Sequence, residues 1–241
     1  MNLYERNFHV EICDIDTKNG LTNYGILRMM QEIAASHSDN LGISINHIEE
    51  KPYTWLLLNW KLRVFLRPAW NSELVVKTWP NASDKLYSYR DFEIYTKNNE
   101  LVAQATSKWV FINLNTLSIE KTSKEILDIY KPSNTYIFEE PMSKLKEPQE
   151  YEFIENYTIT RSDLDINGHA NNLSYLKIAT NILPEDVYIN KDFRDIEIMY
   201  KKEFKLGDEV ACIYSVEGNT YTIAIKSKDL STLHCIIQMR G

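Results

Sequence analysis

The chain reads as one structural unit written twice, and that repetition constrains its fold more than any other feature. In the first half, Ile26, Met30, Ile33, Ala34, His37 and Leu41 recur at three- and four-residue spacing from Asn23 onward, which predicts one long amphipathic helix stopped at Gly42. Four runs rich in β-branched and aromatic residues follow, at Tyr53 to Leu66, Leu74 to Trp79, Leu86 to Tyr95 and Leu101 to Asn113. Turn-forming clusters separate them, at Arg67 to Ser72, Pro80 to Asp84 and Lys97 to Glu100. The second half repeats the order. Tyr151 to Arg161 is strand-like, Asn172 to Leu183 is helical before Pro184, and strands follow at Ile196 to Phe204, Glu209 to Val216, Tyr221 to Ser227 and Leu233 to Met239. Between the halves, Ser118 to Glu150 is charged, carries Pro132, Pro141 and Pro148, and reads as a linker with one short helix at Ser123 to Tyr130. The expected organisation is therefore 1–117, a linker 118–150, and 151–241. Each unit is a long helix buried against a curved antiparallel sheet, an α+β architecture.

The two copies also match locally. Lys18-Asn19-Gly20-Leu21-Thr22-Asn23 lies over Ile166-Asn167-Gly168-His169-Ala170-Asn171, which sets Leu21 where His169 stands. Ser72-Glu73-Leu74-Val75 echoes Asp208-Glu209-Val210-Ala211. The second copy carries Asp163, Asp165, Asn167 and His169 at alternate positions just before its helix. A carboxylate and an imidazole this close suit general acid/base chemistry, and an asparagine orients a substrate or a water. Amides at the helix start are available to a developing oxyanion. Each residue also has a structural reading: Asp caps helices, and Asn-Gly favours turns. With Leu21 opposite His169, one copy has the polar set and the other lacks it, which favours chemistry.

Composition narrows the class. A net charge of −7 supplies no basic excess for neutralising phosphates, so nucleic acid is not an expected partner. No apolar run approaches about 18 residues, so no transmembrane helix is expected. Met1-Asn2-Leu3-Tyr4-Glu5-Arg6-Asn7 is polar and charged, without a secretory core, and the expected location is cytoplasmic. Cys13, Cys212 and Cys235 lie far apart without paired spacing and read as buried small hydrophobes in a reducing compartment. His9, His37, His47 and His234 lack acidic company and read as structural. No metal site and no cofactor are expected. No Gly-x-Ser-x-Gly elbow is present, which argues against a serine hydrolase.

Several motifs taken together resemble the acyl-acyl carrier protein (acyl-ACP) thioesterases. They are Leu21-Thr22-Asn23, Trp79-Pro80, Tyr89-Arg90-Asp91-Phe92, Ala105 to Asn113, Asp163 to Asn172, and Tyr200-Lys201-Lys202-Glu203, spanning nearly the whole chain in the family's order. The resemblance implies two tandem hotdog folds related by a pseudo-twofold axis, and a catalytic set at Asp165, Asn167, His169 and Glu203. It also implies an acylated carrier protein as substrate, free fatty acid as product, and no cofactor. Many plant members have a Cys directly after the glutamate, and here that residue is Phe204, which rules out a Cys–His mechanism at that site.

An apolar tunnel for the acyl chain is expected in the first half, with Ile26, Met30, Ile33, Trp55, Leu57 and Trp60 as candidates that serve equally as plain core. Lys201, Lys202 and Lys205 are candidates for a basic patch facing an acidic carrier protein. The rivals are an acyl-CoA thioesterase of the single-hotdog type, an enoyl hydratase, and a non-catalytic acyl- or carrier-protein-binding module. The spacing from Asp165 to His169 is four residues rather than the five usual in hotdog hydratases, which favours the thioesterase. The pattern leaves a homodimer open.

Overall fold

A computed structural model describes residues 2–47, 52–84 and 86–241. The chain divides into two compact units, Met1–Leu58 with Leu62–Pro141, and Met142–Gly241 with Asn59–Lys61.

In the first unit, β1 (Tyr4–His9) precedes α1 (Asn23–Asn40), and β2 (Tyr53–Val64), β3 (Glu73–Asp84), β4 (Tyr87–Thr96), β5 (Leu101–Asn113) and β6 (Ser118–Glu120) follow. The strand order is β1-β3-β4-β5-β2, with β6 on β5. The pairs β1/β3, β3/β4, β4/β5 and β5/β6 are antiparallel. Thr22 caps α1 by accepting the Gly25 N–H at 3.0 Å, and Ile26, Met29, Met30 and Ile33 are fully buried on the face turned to β1 and β3. Gly25 has a steric reason, since a Cβ there would meet the Asp14 side chain at 2.7 Å. Gly42 takes φ +70° just beyond the helix, as a C-terminal stop requires.

Two details depart from the expected pattern. β3 continues through Pro80 to Asp84, where a turn was expected, because Trp79, Pro80 and Asn81 pair with Asp91, Arg90 and Tyr89 of β4. Pro80 is tolerated because β1 ends its pairing at Thr78, and Ser133, which bridges Asn81, donates its N–H to the Pro80 carbonyl and makes no use of the missing N–H. Within the expected linker, β6 forms in addition to α2 (Lys124–Tyr130), which Ser123 caps.

The Tyr89-Arg90-Asp91-Phe92 motif builds buried polar clusters. Asp91 accepts from Asn81 Nδ2 at 2.5 Å, Thr106 Oγ1 at 2.5 Å and the Ile137 N–H at 3.0 Å. Burial pushes its carboxyl up, and these donors oppose that shift. Arg90, on the preceding residue, donates to His37 Nδ1 at 3.0 Å and Thr78 Oγ1 at 3.3 Å and lies over the Tyr130 ring. His37 stacks on Tyr4, and its Nε2 is buried with no hydrogen-bond partner among the described residues. Burial, then the Arg90 charge, lowers its pKa to about 4. A depressed histidine pKa means that the unfolded chain binds the extra proton first. Stability is therefore intact near neutrality and falls as pH drops from about 6.5 towards 4, by up to about 3 kcal/mol. Urea unfolding at pH 7 and pH 5 is expected to show this loss, and His37→Leu is expected to flatten it.

In the second unit, β7 (Phe153–Thr158), α3 (Asn172–Asn181), α4 (Glu185–Asn190), β8 (Asp195–Tyr200), β9 (Glu209–Glu217), β10 (Thr220–Ser227) and β11 (Leu233–Arg240) follow in order. The strand order is β8-β11-β10-β9-β7, and α3 lies against β10 and β11. α4 was not expected: Pro184 ends α3's extension and starts a new turn, with Glu185 and Asp186 suited to its N-terminus. Residues 142–147 run across this unit as a strap. Ser143 donates to the buried Glu197 through N–H and Oγ, Leu145 enters the core, and Glu147 pairs with Lys226 at 2.6 Å. Cys212 and Cys235 are buried free thiols as expected, and burial raises the pKa of both; Cys13 is free but exposed, which corrects its assignment to the core.

Candidate active site

The site begins at a buried carboxylate. Asp163 ends a 3-10 turn and accepts on Oδ2 from the Thr160 N–H at 2.8 Å, Thr160 Oγ1 at 2.7 Å and the Tyr157 hydroxyl at 2.9 Å. Its backbone carbonyl takes the Asn171 N–H at 2.7 Å and Ser174 Oγ at 2.9 Å, tying the turn to the start of α3. The chain between forms a tight loop. Leu164 bridges Ala170, the Asp165 N–H donates to the His169 carbonyl at 2.7 Å, and Gly168 turns the chain at φ +75°. Asp165 Oδ1 accepts the N–H groups of Asn167 at 2.8 Å and His169 at 3.2 Å, and Asn167 Nδ2 lies 3.4 Å from Oδ2.

Glu203 reaches this loop from outside the sheet. β8 ends at Tyr200, so Glu203 lies on the irregular segment that follows rather than on a strand as expected. That segment docks on the loop: the Ala170 N–H donates to the Phe204 carbonyl at 2.8 Å, and Lys205 bridges His169. The result sets Glu203 Oε2 3.1 Å from His169 Nδ1, with the two side chains 51% and 32% exposed. With Nδ1–H directed at the carboxylate, Nε2 carries the lone pair and is the basic nitrogen. At the start of α3, the amides of Ala170, Asn171, Leu173 and Ser174 are engaged by Phe204, Asp163 and Asn171. Asn167 Nδ2 and the Asn172 N–H, which has no such bond among the described residues, are the donors left for an oxyanion. No group of three or more His, Cys, Asp and Glu suited to a metal ion occurs among the described residues.

The first copy repeats the backbone bonds of this loop and corrects the register between the halves. Asp14 is buried like Asp163 and its carboxylate accepts the Glu11 N–H at 3.1 Å. The Asp16 N–H donates to the Gly20 carbonyl, Asp16 Oδ1 accepts the Lys18 and Gly20 N–H groups, and Ile15 bridges Leu21. Gly20, not Leu21, therefore stands where His169 stands, and Lys18, not Asn19, stands where Asn167 stands. Asn19 matches Gly168, and both have positive φ. The Leu21 N–H donates to the Pro68 carbonyl as that of Ala170 does to Phe204, so Arg67 occupies the place of Glu203. Arg67 donates to the Leu21 carbonyl at 2.7 Å and Asn23 Oδ1 at 3.0 Å. The first copy keeps the aspartate and has exchanged the imidazole for hydrogen and the glutamate for a guanidinium.

Asp163 has no role in the sequence reading, because the register that sets Leu21 opposite His169 sets Asp163 opposite Ile15 and hides its counterpart Asp14. Asp14 is held by Arg28 Nε at 2.7 Å and Nη2 at 2.5 Å. The same place on α3 is Lys177, and Asp163 Oδ1 is buried without a hydrogen-bond partner among the described residues. Lys177→Arg is expected to supply that missing bond and to stabilise the fold by about 1 kcal/mol. An unchanged urea midpoint would contradict it.

A helix against an antiparallel sheet, occurring twice, with a histidine–glutamate pair on the second copy, defines a tandem-hotdog protein with one candidate site. A model of the acyl-ACP thioesterase N-terminal domain matches residues 1–130, and one of the C-terminal domain matches residues 146–241. The chain belongs to the acyl-ACP thioesterase family. An acyl-ACP thioesterase structure from Bacteroides thetaiotaomicron superposes with a TM-score of 0.87 at 25% identity, covering 99% of this chain and 97% of that one. The 12:0-ACP thioesterase of Umbellularia californica gives the same TM-score at 19% identity, covering 99% and 96%, a likeness of fold. The chloroplastic oleoyl-acyl carrier protein thioesterase of Coriandrum sativum is 24% identical over 241 residues, 92% of this chain and 65% of its own length. No helix among the described residues is long and apolar enough to cross a membrane.

Proposed function

We propose that the protein hydrolyses the thioester of an acylated carrier protein and releases free fatty acid, acting in the cytoplasm. The observation that carries the reading is the His169–Glu203 pair at 3.1 Å, in a chain whose two halves both match the family. His169 Nε2 takes a proton from a water, and the hydroxide adds to the thioester carbonyl. The tetrahedral oxyanion is held by Asn167 Nδ2 and the Asn172 N–H. Its collapse breaks the C–S bond, and the imidazolium proton passes to the leaving thiolate. Glu203 holds the imidazole tautomer and stabilises the imidazolium.

Asp165 acts by orienting. Its Oδ1 takes the same two backbone bonds that Asp16 makes in the copy with Gly20 in place of His169, so its geometry is that of a turn anchor carrying Asn167 and His169. The degenerate first unit is the proposed acyl site: Ile26, Met30, Ile33 and Leu57 are buried there and Trp55 is half-buried, whereas Trp60 belongs to the second unit. Lys201, Lys202 and Lys205 are exposed beside Glu203, where an acidic carrier protein would meet them.

Free-thiol release from carrier-protein thioesters of C4 to C18 acyl chains, beside the matched CoA thioesters, tests the function. The expected profile peaks at one chain length, with kcat/KM higher on the carrier protein. No release from any carrier-protein thioester would overturn the reading, and release from CoA thioesters alone would reassign the carrier.

A further inference from the structure

The Glu203 side chain is about half exposed, yet the backbone on either side of it is held from below by two buried side chains that the reaction above does not use. Tyr175 of α3 is 2% exposed and His234 of β11 is 6% exposed. The Phe204 N–H donates to the Tyr175 hydroxyl oxygen at 3.2 Å, and that hydroxyl donates to the Lys202 carbonyl at 3.3 Å. His234 Nδ1 lies 3.2 Å from the same carbonyl, so the tautomer protonated on Nδ1 donates to it. The His234 carbonyl in turn receives the N–H groups of Lys201 at 2.8 Å and Lys202 at 3.3 Å. Phe204 stacks on the His234 ring at 3.7 Å and 9°, and on the Tyr175 ring at 5.8 Å and 25°. Lys202 and Phe204 flank Glu203, so both of its peptide neighbours are fixed while its own side chain is free to point at His169.

We propose that Tyr175 and His234 are positioning residues, which lock the backbone around Glu203 and so hold its carboxylate against His169. The assignment rests on the role given to the His169–Glu203 pair above. Plain packing does not account for it. An apolar ring at 175 and at 234 would serve packing alone, and the polar atoms present instead converge on one carbonyl and one amide beside the glutamate. The segment has left the β8 ladder, and β11 supplies one anchor of the replacement and α3 the other.

The test is a kinetic cycle with Tyr175→Phe, His234→Phe and Glu203→Gln, singly and combined. Tyr175→Phe deletes only the hydroxyl, and His234→Phe keeps a ring against Phe204 while removing both ring nitrogens and enlarging the ring. Each is expected to lower kcat about tenfold while KM moves less than about twofold, as loss of alignment without loss of substrate binding requires. In the Glu203→Gln background, neither is expected to cost anything further, because the group they position is already disabled. A structural role would instead give equal losses in both backgrounds, and that additivity overturns the proposal. Wild-type rates for Tyr175→Phe and His234→Phe, with Glu203→Gln slow, overturn the positioning role and leave the pair standing. A Glu203→Gln enzyme at full speed removes the pair itself, and the proposal with it. Melting temperatures taken alongside restrict each comparison to folded enzyme, and the two aromatic variants test the role independently.

Discussion

Replacing His169 by alanine is expected to lower kcat/KM for the thioester by a factor of about 10²–10⁴ while the protein remains folded, on the scale of a lost, well-placed base. Both halves of that expectation follow from the loop. The imidazole is about one-third exposed, and its assigned contact is Glu203, so truncation opens no core cavity. The turn itself is held by the backbone of residue 169: its carbonyl accepts from Asp165, and its N–H donates to Asp165 Oδ1. Gly20 makes both bonds in the first copy with no side chain at all. Thiol release and the urea midpoint, measured on the same preparation, check the two halves together. A large loss of stability would mean that the imidazole holds the loop, and unchanged turnover would remove it from the chemistry.

Asp163→Ala is expected to do the reverse and strike the fold first, at a cost of about 3 kcal/mol. Three donors, two from the exposed Thr160 and one from the half-buried Tyr157, lose their buried acceptor. Burial pushes the Asp163 carboxyl up, but the Thr160 and Tyr157 bonds prevail and hold it below the usual carboxylate range. A depressed pKa contributes stability above the ordinary carboxylate range and loses it as pH falls through that range. The variant should therefore show its deficit at neutral pH, and the deficit should shrink in acid. Because the loop carries Asp165, Asn167 and His169, activity should fall along with stability. A wild-type urea midpoint for Asp163→Ala would contradict this anchoring role.

The sequence showed the architecture wherever periodicity was strong. α1 follows the spacing of Ile26, Met30 and Ile33 from Asn23, and β5 occupies Leu101 to Asn113 as its composition indicates. What it concealed was local. Pro80 reads as a turn because a strand interior needs its N–H, and only the place where β1 stops, with Ser133 bonded to the Pro80 carbonyl, makes that N–H unnecessary. Glu203 reads as part of a strand because Ile196 to Phe204 is continuous in composition, whereas the chain leaves the ladder at Tyr200 to meet the loop. The one-residue slip between the halves has a backbone cause. Asn-Gly occurs at 19–20 and at 167–168, which aligns the dipeptides in sequence, but the loop needs a left-handed residue at Asn19 and at Gly168. Either residue type meets that need, so the dipeptide does not mark the register. Corrected, the aspartate is common to both copies, and what distinguishes the second is Asn167 and His169 with Glu203. Tyr175 and His234 were illegible for another reason: each stands alone in its own element, and only tertiary contact brings them to Glu203.

In the proposed reaction His169, backed by Glu203, delivers water directly to the thioester, with Asp165 as the anchor of the turn and not a nucleophile. Rapid-quench turnover of an acylated carrier protein, following thiol, fatty acid and intact protein mass together, tests it most directly. Thiol and acid are expected to appear at one rate, without a burst and without an acylated form of the enzyme. A burst of thiol matched by an acyl adduct on Asp165 would contradict it.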